Sequence, residues 1–172
     1  MKRPNPKISM IAAMARNRVI GGKDGGIPWS LPRDSAHFRN YTAGKFMLLG
    51  RTTFEEMDGW FTTQTPVVLT RDFNFDVKEG FVADSVERAV SIAREQSASE
   101  LVVSGGASIY QAALSFADEL ILTFVEAEVE GEHHFPGYEA VAKWEIVDEE
   151  RFEADAENEF AMTFATLKRV IG

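Results

Sequence analysis

The sequence predicts a single α/β domain, with a mostly parallel central sheet, flanking helices and an antiparallel C-terminal hairpin. Three observations predict this class. Short apolar runs alternate with segments of helical spacing over the first two thirds of the 172 residues. The last third holds two alternating segments, 144–152 and 160–168, which are typical of a hairpin. No repeat or linker interrupts the order, so we expect one domain over residues 7–170 after a short tail, residues 1–6.

The individual elements follow from local patterns. The apolar runs predict strands at 8–13, 45–49, 65–70, 80–83, 100–104 and 120–129. Helices are predicted to begin near Pro32 and after Gly50, Ser85 and Gly106. Pro32 suits the first turn of a helix, and Ser85 is a good N-cap for the apolar spacing of residues 86–93. Between the first strand and the first helix, residues 17–28 form a loop with four glycines.

The composition restricts the possible functions. Lys and Arg number 18 and Asp and Glu number 27, and the resulting net charge of −9 argues against a nucleic-acid partner. The absence of cysteine excludes disulfide scaffolds, thiolate metal sites and thiol catalysis. No apolar run approaches ~20 residues, so we expect no membrane partner. The first apolar run is short for a secretory signal and is followed at once by Arg16 and Arg18, so we expect a cytoplasmic protein.

Cations, hydroxyls and glycines follow three of the predicted strands. They are Gly50-Arg51-Thr52-Thr53, Thr70-Arg71 and Gly105-Gly106. Because the carboxyl ends of parallel strands share one end of the sheet, we expect these segments to lie close together. Guanidinium groups, hydroxyls and free helix N–H groups suit a phosphate, although each segment alone is as well explained as a cap or packing turn. Together they predict a phosphorylated nucleotide spread across the sheet.

Asp34 is the candidate for acid–base chemistry. It lies early in the first predicted helix, among Trp29, Leu31 and Phe38, so the sequence predicts a partly desolvated carboxylate. Such a carboxylate has a raised pKa and can hold a protonatable heterocycle by paired hydrogen bonds. The alternative is a carboxylate that only complements the helix dipole.

Neither a metal site nor a hydrolase site is expected. His133 and His134 are adjacent and would point to opposite faces of a strand, and His37 is distant in sequence. The chain also lacks the G-x-S-x-G, GK[ST] and HExxH motifs of hydrolases and nucleoside triphosphatases.

An ordered set of segments carries a family resemblance. The segments are 11–13 (IAA), 17–21 (NRVIG), 27–34 (IPWSLPRD), 49–55 (LGRTTFE), 105–110 (GGASIY), 122–123 (LT), 127–132 (AEVEGE) and 135–136 (FP). In this order they resemble the dihydrofolate reductase family over nearly the whole chain. The resemblance implies an antifolate target that reduces 7,8-dihydrofolate to tetrahydrofolate with NADPH, acts in one-carbon metabolism and works as a monomer.

The resemblance implies a substrate pocket around Asp34. In the family pattern this carboxylate holds N3 and the 2-amino group of the pterin and favours protonation at N5, while C6 accepts a hydride. Trp29 and Thr123 would support the carboxylate, and Ile27 completes the catalytic group with Asp34 and Trp29. The other implied substrate contacts are Ile11, Ala12, Phe38, Arg39, Met57, Phe61, Gln64, Ser104 and Tyr110.

The resemblance also implies the binding site of NADPH. Ala13, Ile20 and Gly21 would border the nicotinamide, and the loop from Gly21 to Gly26 would be a mobile lid over it. The remaining cofactor contacts are Gly50, Arg51, Thr52, Thr53, Thr70, Arg71, Gly105, Gly106, Ala107, Ser108, Ile109 and Tyr110.

Some positions depart from the family pattern. Gln64 replaces an arginine that clamps the α-carboxylate of the substrate's glutamate tail, and Arg39 is the candidate to compensate. Ser104 and Ser35 place hydroxyls where the family has apolar residues. Gln64 and Ser104 keep an NADPH-dependent reductase of a riboflavin-pathway ribosylaminopyrimidine phosphate open as an alternative, although the pair of Trp29 and the pterin-holding Asp34 argues against it. A non-catalytic nucleotide-binding relative is the alternative from another class.

Overall fold

The computed structural model describes residues 3–21 and 28–171, and in these ranges it contains ten strands and four α-helices. The strands are β1 (Lys7–Met14), β2 (Val19–Gly21), β3 (Phe46–Gly50), β4 (Thr65–Leu69), β5 (Phe81–Ala83), β6 (Glu100–Val103), β7 (Glu119–Val125), β8 (His133–His134), β9 (Trp144–Phe152) and β10 (Met162–Arg169). The helices are α1 (Pro32–Thr42), α2 (Arg51–Glu56), α3 (Val86–Glu95) and α4 (Ala107–Ala113).

Eight of these strands form one sheet in the order β5-β4-β3-β6-β1-β7-β10-β9. The six strands from β5 to β7 are parallel, and β10 lies antiparallel between β7 and β9. The predicted fold class is therefore confirmed. The parallel strands all end at one end of the sheet, called the carboxyl end below, which is where open α/β sheets bind ligands.

Alternate residues of the central strands pack under different helices. Met10 and Ala12 of β1 join the main core, which includes the apolar sides of α3 and α4. Ile11 lies in a second cluster, against which Phe38 and Tyr41 of α1 pack. Because side chains alternate along a strand, this arrangement places α1 on one face of the sheet and α3 and α4 on the other.

Two predicted boundaries differ from the structure by three residues or more. β7 ends at Val125 rather than at 129, because the chain then turns towards β1, where the Arg16 N–H donates to the Ala127 carbonyl at 2.9 Å. The helix after Gly106, predicted over residues 107–116, ends at Ala113 and continues only as a 3₁₀ turn, Leu114–Phe116. The short pair β2 and β8 was not predicted, because strands of three and two residues leave no periodicity in the sequence.

Candidate active site

Asp34 lies in the first turn of α1, half-buried against the sheet. Burial raises the pKa of this carboxyl, while the Thr123 hydroxyl and His37, one turn further along the helix, partly oppose the increase. Thr123 is buried on β7 and pairs in register with Ala13 of β1. The structure therefore brings together three residues predicted from the sequence: Asp34, Thr123 and Ala13, the last of which was predicted to border the nicotinamide.

Tyr110 connects α4 with this part of the site. Its hydroxyl donates a hydrogen bond of 2.7 Å to the Ile11 carbonyl, and its ring packs against Gly105. A Cβ at Gly105 would lie 3.1 Å from the phenol oxygen, and the residue has a φ of +104°, so glycine is required there. Burial and the charge of Asp34 raise the pKa of Tyr110, which keeps the phenol protonated as a hydrogen-bond donor.

The predicted phosphate-binding segments meet at the carboxyl end of the sheet. The Gly50 N–H donates to the Gly105 carbonyl at 2.9 Å, which joins the start of α2 to the turn before α4. A Cβ at Gly106 would lie 3.5 Å from the Thr53 hydroxyl, so the two helix starts are close neighbours. With free helix N–H groups, hydroxyls and glycine backbone side by side, the donors of this surface fit the phosphates of a dinucleotide such as NADPH.

Arg51 is a cation of this surface, and it is already engaged within the protein. Its side chain, which is 45% exposed, bonds Glu55 at 2.7 Å and Asp72 at 2.9 Å and stacks on Phe75 at 4.4 Å. The contact with Asp72 brings α2 to the segment after β4, where the Thr70 hydroxyl accepts from the Asp72 N–H at 3.2 Å. A phosphate bound by Arg51 therefore competes with two carboxylates. The sequence reasoning missed Asp72, whose position directly after Thr70-Arg71 was the available signal.

Gln64 uses its amide inside the protein. It is buried, its oxygen accepts from the Thr62 and Thr63 N–H groups at 3.1 Å, and its nitrogen donates to the Thr42 hydroxyl at 3.3 Å. The side chain thus joins the loop before β4 to the end of α1. This geometry gives Gln64 a structural task at the position where the family pattern has a substrate-binding arginine.

Arg39 lies close by, on α1. Its guanidinium stacks over the Trp60 ring at 4.2 Å and donates to the Trp60 carbonyl at 3.2 Å. The same ring lies 5.3 Å from the ring of Phe38. Trp60 therefore holds a cation at the rim of the aromatic surface of α1. The sequence reasoning missed Trp60, although it lies beside the predicted contact Phe61.

The remaining predicted substrate residues divide between the two faces of the sheet. Met57 and Phe61 are half-buried after α2, and Ser104 is buried with its hydroxyl donating to the Val102 carbonyl at 3.1 Å. The Ala12 side chain belongs to the core on the α3 and α4 face, which lies opposite α1. Trp29 packs against the apolar cluster that includes Leu31 and Val125.

Residues 22–26 of the predicted lid, and Ile27, lie outside the described residues. Of the residues predicted to border the nicotinamide, Ile20 packs against the main core and Gly21 is the last residue of β2. Within residues 3–21 and 28–171, no three His, Cys, Asp or Glu side chains are grouped as a metal site would require.

The fold and the site together define a class of protein. A half-buried carboxylate with a raised pKa lies beside a surface suited to the phosphates of a dinucleotide, at the ligand-binding end of a parallel sheet. These features are those of a nucleotide-dependent oxidoreductase that acts on a protonatable heterocycle.

Comparisons with known proteins identify the family. A family model described as dihydrofolate reductase matches residues 7–169. The chain is 37% identical over 162 residues to a dihydrofolate reductase type 3 from Salmonella typhimurium, covering 94% of this chain and 98% of the relative. It is also 37% identical over 161 residues to a dihydrofolate reductase from Haemophilus influenzae, with the same coverage. A solved structure of Enterococcus faecalis dihydrofolate reductase complexed with NADP(H) superposes with a TM-score of 0.85 at 29% identity, covering 96% of this chain and 97% of the other.

The chain belongs to the dihydrofolate reductase family. It is an NADPH-dependent oxidoreductase that reduces dihydrofolate to tetrahydrofolate. The resemblance inferred from the sequence motifs is confirmed, and the comparisons do not favour the riboflavin-pathway reductase or the non-catalytic relative.

Proposed function

We propose that Asp34 is the residue that holds the pterin ring during this reduction. The observation that supports it most strongly is that, among the described residues, the half-buried Asp34 beside Thr123 is the carboxylate whose pKa burial raises. A carboxylate accepts two hydrogen bonds from the N3 and 2-amino edge of the pterin, and these bonds are strengthened where water is excluded. The negative charge favours a proton on the ring at N5, while NADPH, when bound, supplies the hydride that C6 accepts.

The other residues around Asp34 act by orientation. We assign to Thr123, whose hydroxyl lowers the pKa of Asp34, the orientation of the carboxylate. We assign to Trp29, which packs against the apolar cluster of Leu31 and Val125, the apolar side of the pocket. Phe38 on α1 and Phe61 after α2 line the part of the pocket that extends away from the pterin. Orientation of this kind accounts for a large part of the rate gain when two bound molecules react.

For the cofactor, we assign the phosphates to the surface formed by the starts of α2 and α4. Arg51, Thr52 and Thr53 at the start of α2 supply a guanidinium and two hydroxyls, and Thr70 and Arg71 after β4 supply one more of each. The glycine backbone from Gly105 to Gly106 lets the pyrophosphate approach closely. The extra cations suit a 2′-phosphate and therefore NADPH rather than NADH.

Turnover measurements test the role of Asp34. We expect Asp34→Asn to lower kcat/KM for dihydrofolate by about 10²–10⁴-fold, because an amide removes the charge that polarises the ring. Asp148→Asn, at an exposed aspartate on β9, is the matched control and should change kcat/KM less than twofold. Loss of NADPH absorbance gives the rate, and a bound-state titration with NADPH shows that the cofactor site is intact. An Asp34→Asn enzyme with full activity would contradict the proposal.

Arg39 is proposed to bind the glutamate tail that Gln64 leaves without a cation. The Arg39 guanidinium stacks on Trp60 at the edge of the proposed pocket. The Gln64 amide already forms hydrogen bonds with Thr42, Thr62 and Thr63. We expect Arg39→Ala to raise KM about tenfold for dihydrofolate, because a charge-assisted hydrogen bond is worth roughly 1.5–3 kcal/mol. KM for dihydropteroate, which lacks the glutamate, should not change. Equal effects on both substrates would show that Arg39 only supports the fold.

We further propose that residues 7–170 act as one monomeric domain in the cytoplasm. Among the described helices, none combines the length and the apolar character that a membrane crossing needs. The net charge of −9 disfavours binding to nucleic acid. Sedimentation of the purified protein with NADPH tests the monomeric state.

A further inference from the structure

The first turn of α1 is held by the loop between β9 and β10, which lies 125 residues away in the chain. The Arg33 N–H donates to the Asn158 side-chain oxygen at 3.0 Å. The Asn158 side-chain nitrogen donates to Asp155 at 3.0 Å, and the Arg33 guanidinium donates to the other oxygen of Asp155 at 3.1 Å. These three contacts form a closed ring of Arg33, Asn158 and Asp155, which we call the α1 clamp.

The clamp supplies α1 with the side-chain N-cap hydrogen bond that its own N-cap residue cannot form. A helix begins with N–H groups that have no partner inside the helix. Leu31 occupies the N-cap position and has no side-chain oxygen, and Pro32 has no N–H to donate. Asn158 therefore supplies the oxygen that Ser, Asp or Asn would supply at the N-cap of another helix.

The clamp is also built to be rigid. Asn158 is only 4% exposed. Asp155 accepts the backbone N–H groups of Glu157 and Asn158 at 2.9 and 2.8 Å, which fixes the loop that carries both side chains. From β9, the Phe152 ring lies 4.7 Å from the Arg33 guanidinium. The position of the Asn158 oxygen is therefore set by the hairpin rather than by α1.

We propose that Asn158 is a positioning residue for dihydrofolate reduction, which through the Arg33 N–H sets where the Asp34 carboxylate stands against the pterin. This inference rests on the proposed role of Asp34. Asp34 follows Arg33 directly, so any loosening of the first turn moves the carboxylate. A displacement of about 1 Å at a reacting centre can cost up to about 100-fold in rate.

A purely structural cap is the competing explanation, and the chain contains a matched control for it. Ser85 caps α3 by accepting the Arg88 N–H at 3.0 Å, the same kind of bond as that between Asn158 and Arg33. Ser85→Ala therefore removes a helix cap at a distance from Asp34. If caps matter only for stability, Asn158→Ala and Ser85→Ala should affect the enzyme alike.

The experiment is a graded series measured well below the unfolding temperature of each variant. We expect Asn158→Ala to raise KM for dihydrofolate at least fivefold and to lower kcat, with the dissociation constant of NADPH changed less than twofold. Asp155→Ala, which keeps the Asn158 oxygen but frees its side chain, should raise KM about two- to threefold. Ser85→Ala should leave KM within about twofold.

Each other outcome overturns the inference. Asn158→Ala with unchanged KM and kcat shows that the cap does not position Asp34, and Ser85→Ala with an equal rise in KM shows a general effect of stability. If Asn158→Ala does not fold, an Asp155→Ala enzyme with unchanged KM has the same meaning. Asp34→Asn, assayed in parallel, separates the two proposals: if it retains full activity, the role of Asp34 fails, whereas its loss of activity beside an unaffected Asn158→Ala enzyme overturns the inference alone.

Discussion

Two carboxylates lie between α1 and the sheet, one at each end of the helix, and the protein treats them in opposite ways. Asp34 in the first turn has a raised pKa, because burial outweighs the help of Thr123 and His37. Glu100, 7% exposed at the start of β6, lies beside Tyr41 in the last turn. Burial alone would raise its pKa too, but hydrogen bonds from Ser9, at 2.6 Å, and Tyr41 and the charges of two lysines bring the pKa below its usual range.

One fold thus uses two carboxylates for different purposes, Glu100 for stability and Asp34, as proposed, for substrate binding. Glu100 has its lone pairs filled by hydroxyls and by Lys45 at 3.3 Å, so it has nothing left to offer a ligand. Among the described residues, the Thr123 hydroxyl and His37 act on Asp34, which leaves lone pairs for the pterin edge proposed above. A carboxylate is costly to bury unless it is paired, and the carboxylate with fewer partners is the one we propose to bind the substrate.

The largest effect on stability should come from Glu100→Ala. We expect a loss of about 3 kcal/mol, or roughly 6–12 °C in Tm, because two hydroxyls and two lysines lose their common partner. The activity of the folded enzyme should remain within about threefold, because Glu100 lies at the opposite end of α1 from Asp34. Thermal unfolding and turnover measure the two effects. Glu100→Gln, which still accepts hydrogen bonds, should lose less, and a loss as large as that of Glu100→Ala would contradict this explanation.

Asp34→Asn should have the opposite effect on stability. Because the folded protein holds this carboxylate at a raised pKa, removing the charge should raise Tm at neutral pH while it removes activity. Thermal unfolding of the ligand-free protein at pH 7 measures the change in Tm. A variant less stable than the parent would show that Asp34 has a structural role instead.

The stability contributions of Glu100 and Asp34 should also depend on pH in opposite ways. Glu100 has a lowered pKa, so it contributes stability above the pKa of an unfolded glutamate, and this contribution is lost as the pH falls through the folded value. Asp34 has a raised pKa, so its contribution is present below the pKa of an unfolded aspartate and is lost as the pH rises through the folded value. The deficit of Glu100→Gln and the advantage of Asp34→Asn should therefore both shrink as the pH is lowered. Unfolding at pH 7, 5 and 3.5 tests both, and a deficit or advantage that grows in acid would reject the assignment.

The smallest change in stability is expected from a substitution of His37. Its ring stacks on Phe164 at 4.1 Å, and its Nε2 is buried without a hydrogen-bond partner among the described residues. Burial lowers the pKa of His37 against the pull of Asp34, so the imidazole is neutral at pH 7. We expect His37→Phe to keep the stack and to stabilise the protein by about 1 kcal/mol, because an unpaired polar atom is removed. Activity at pH 7 should change less than twofold; a clear loss of stability would reveal a partner for this nitrogen.

The features that the sequence predicted well are those that depend on residues close together in the chain. The parallel strands, the beginning of α1 at Pro32 and the grouping of Arg51, Thr70 and Gly105 at the carboxyl end follow from local periodicity and from the geometry of parallel sheets. The contacts that finish the site depend on residues far apart in the chain. Asn158 and Trp60 carry no local pattern that ties them to α1, so only the folded structure brings them to it.

The α1 clamp has a consequence for when the site forms. During synthesis the N-terminal part of a chain is available for folding first, so α1 emerges long before residue 158 does. Until the hairpin has been made and has docked, the helix start lacks the cap that Asn158 supplies. On the proposed role of the clamp, a chain truncated before the hairpin should therefore fail to hold dihydrofolate at Asp34.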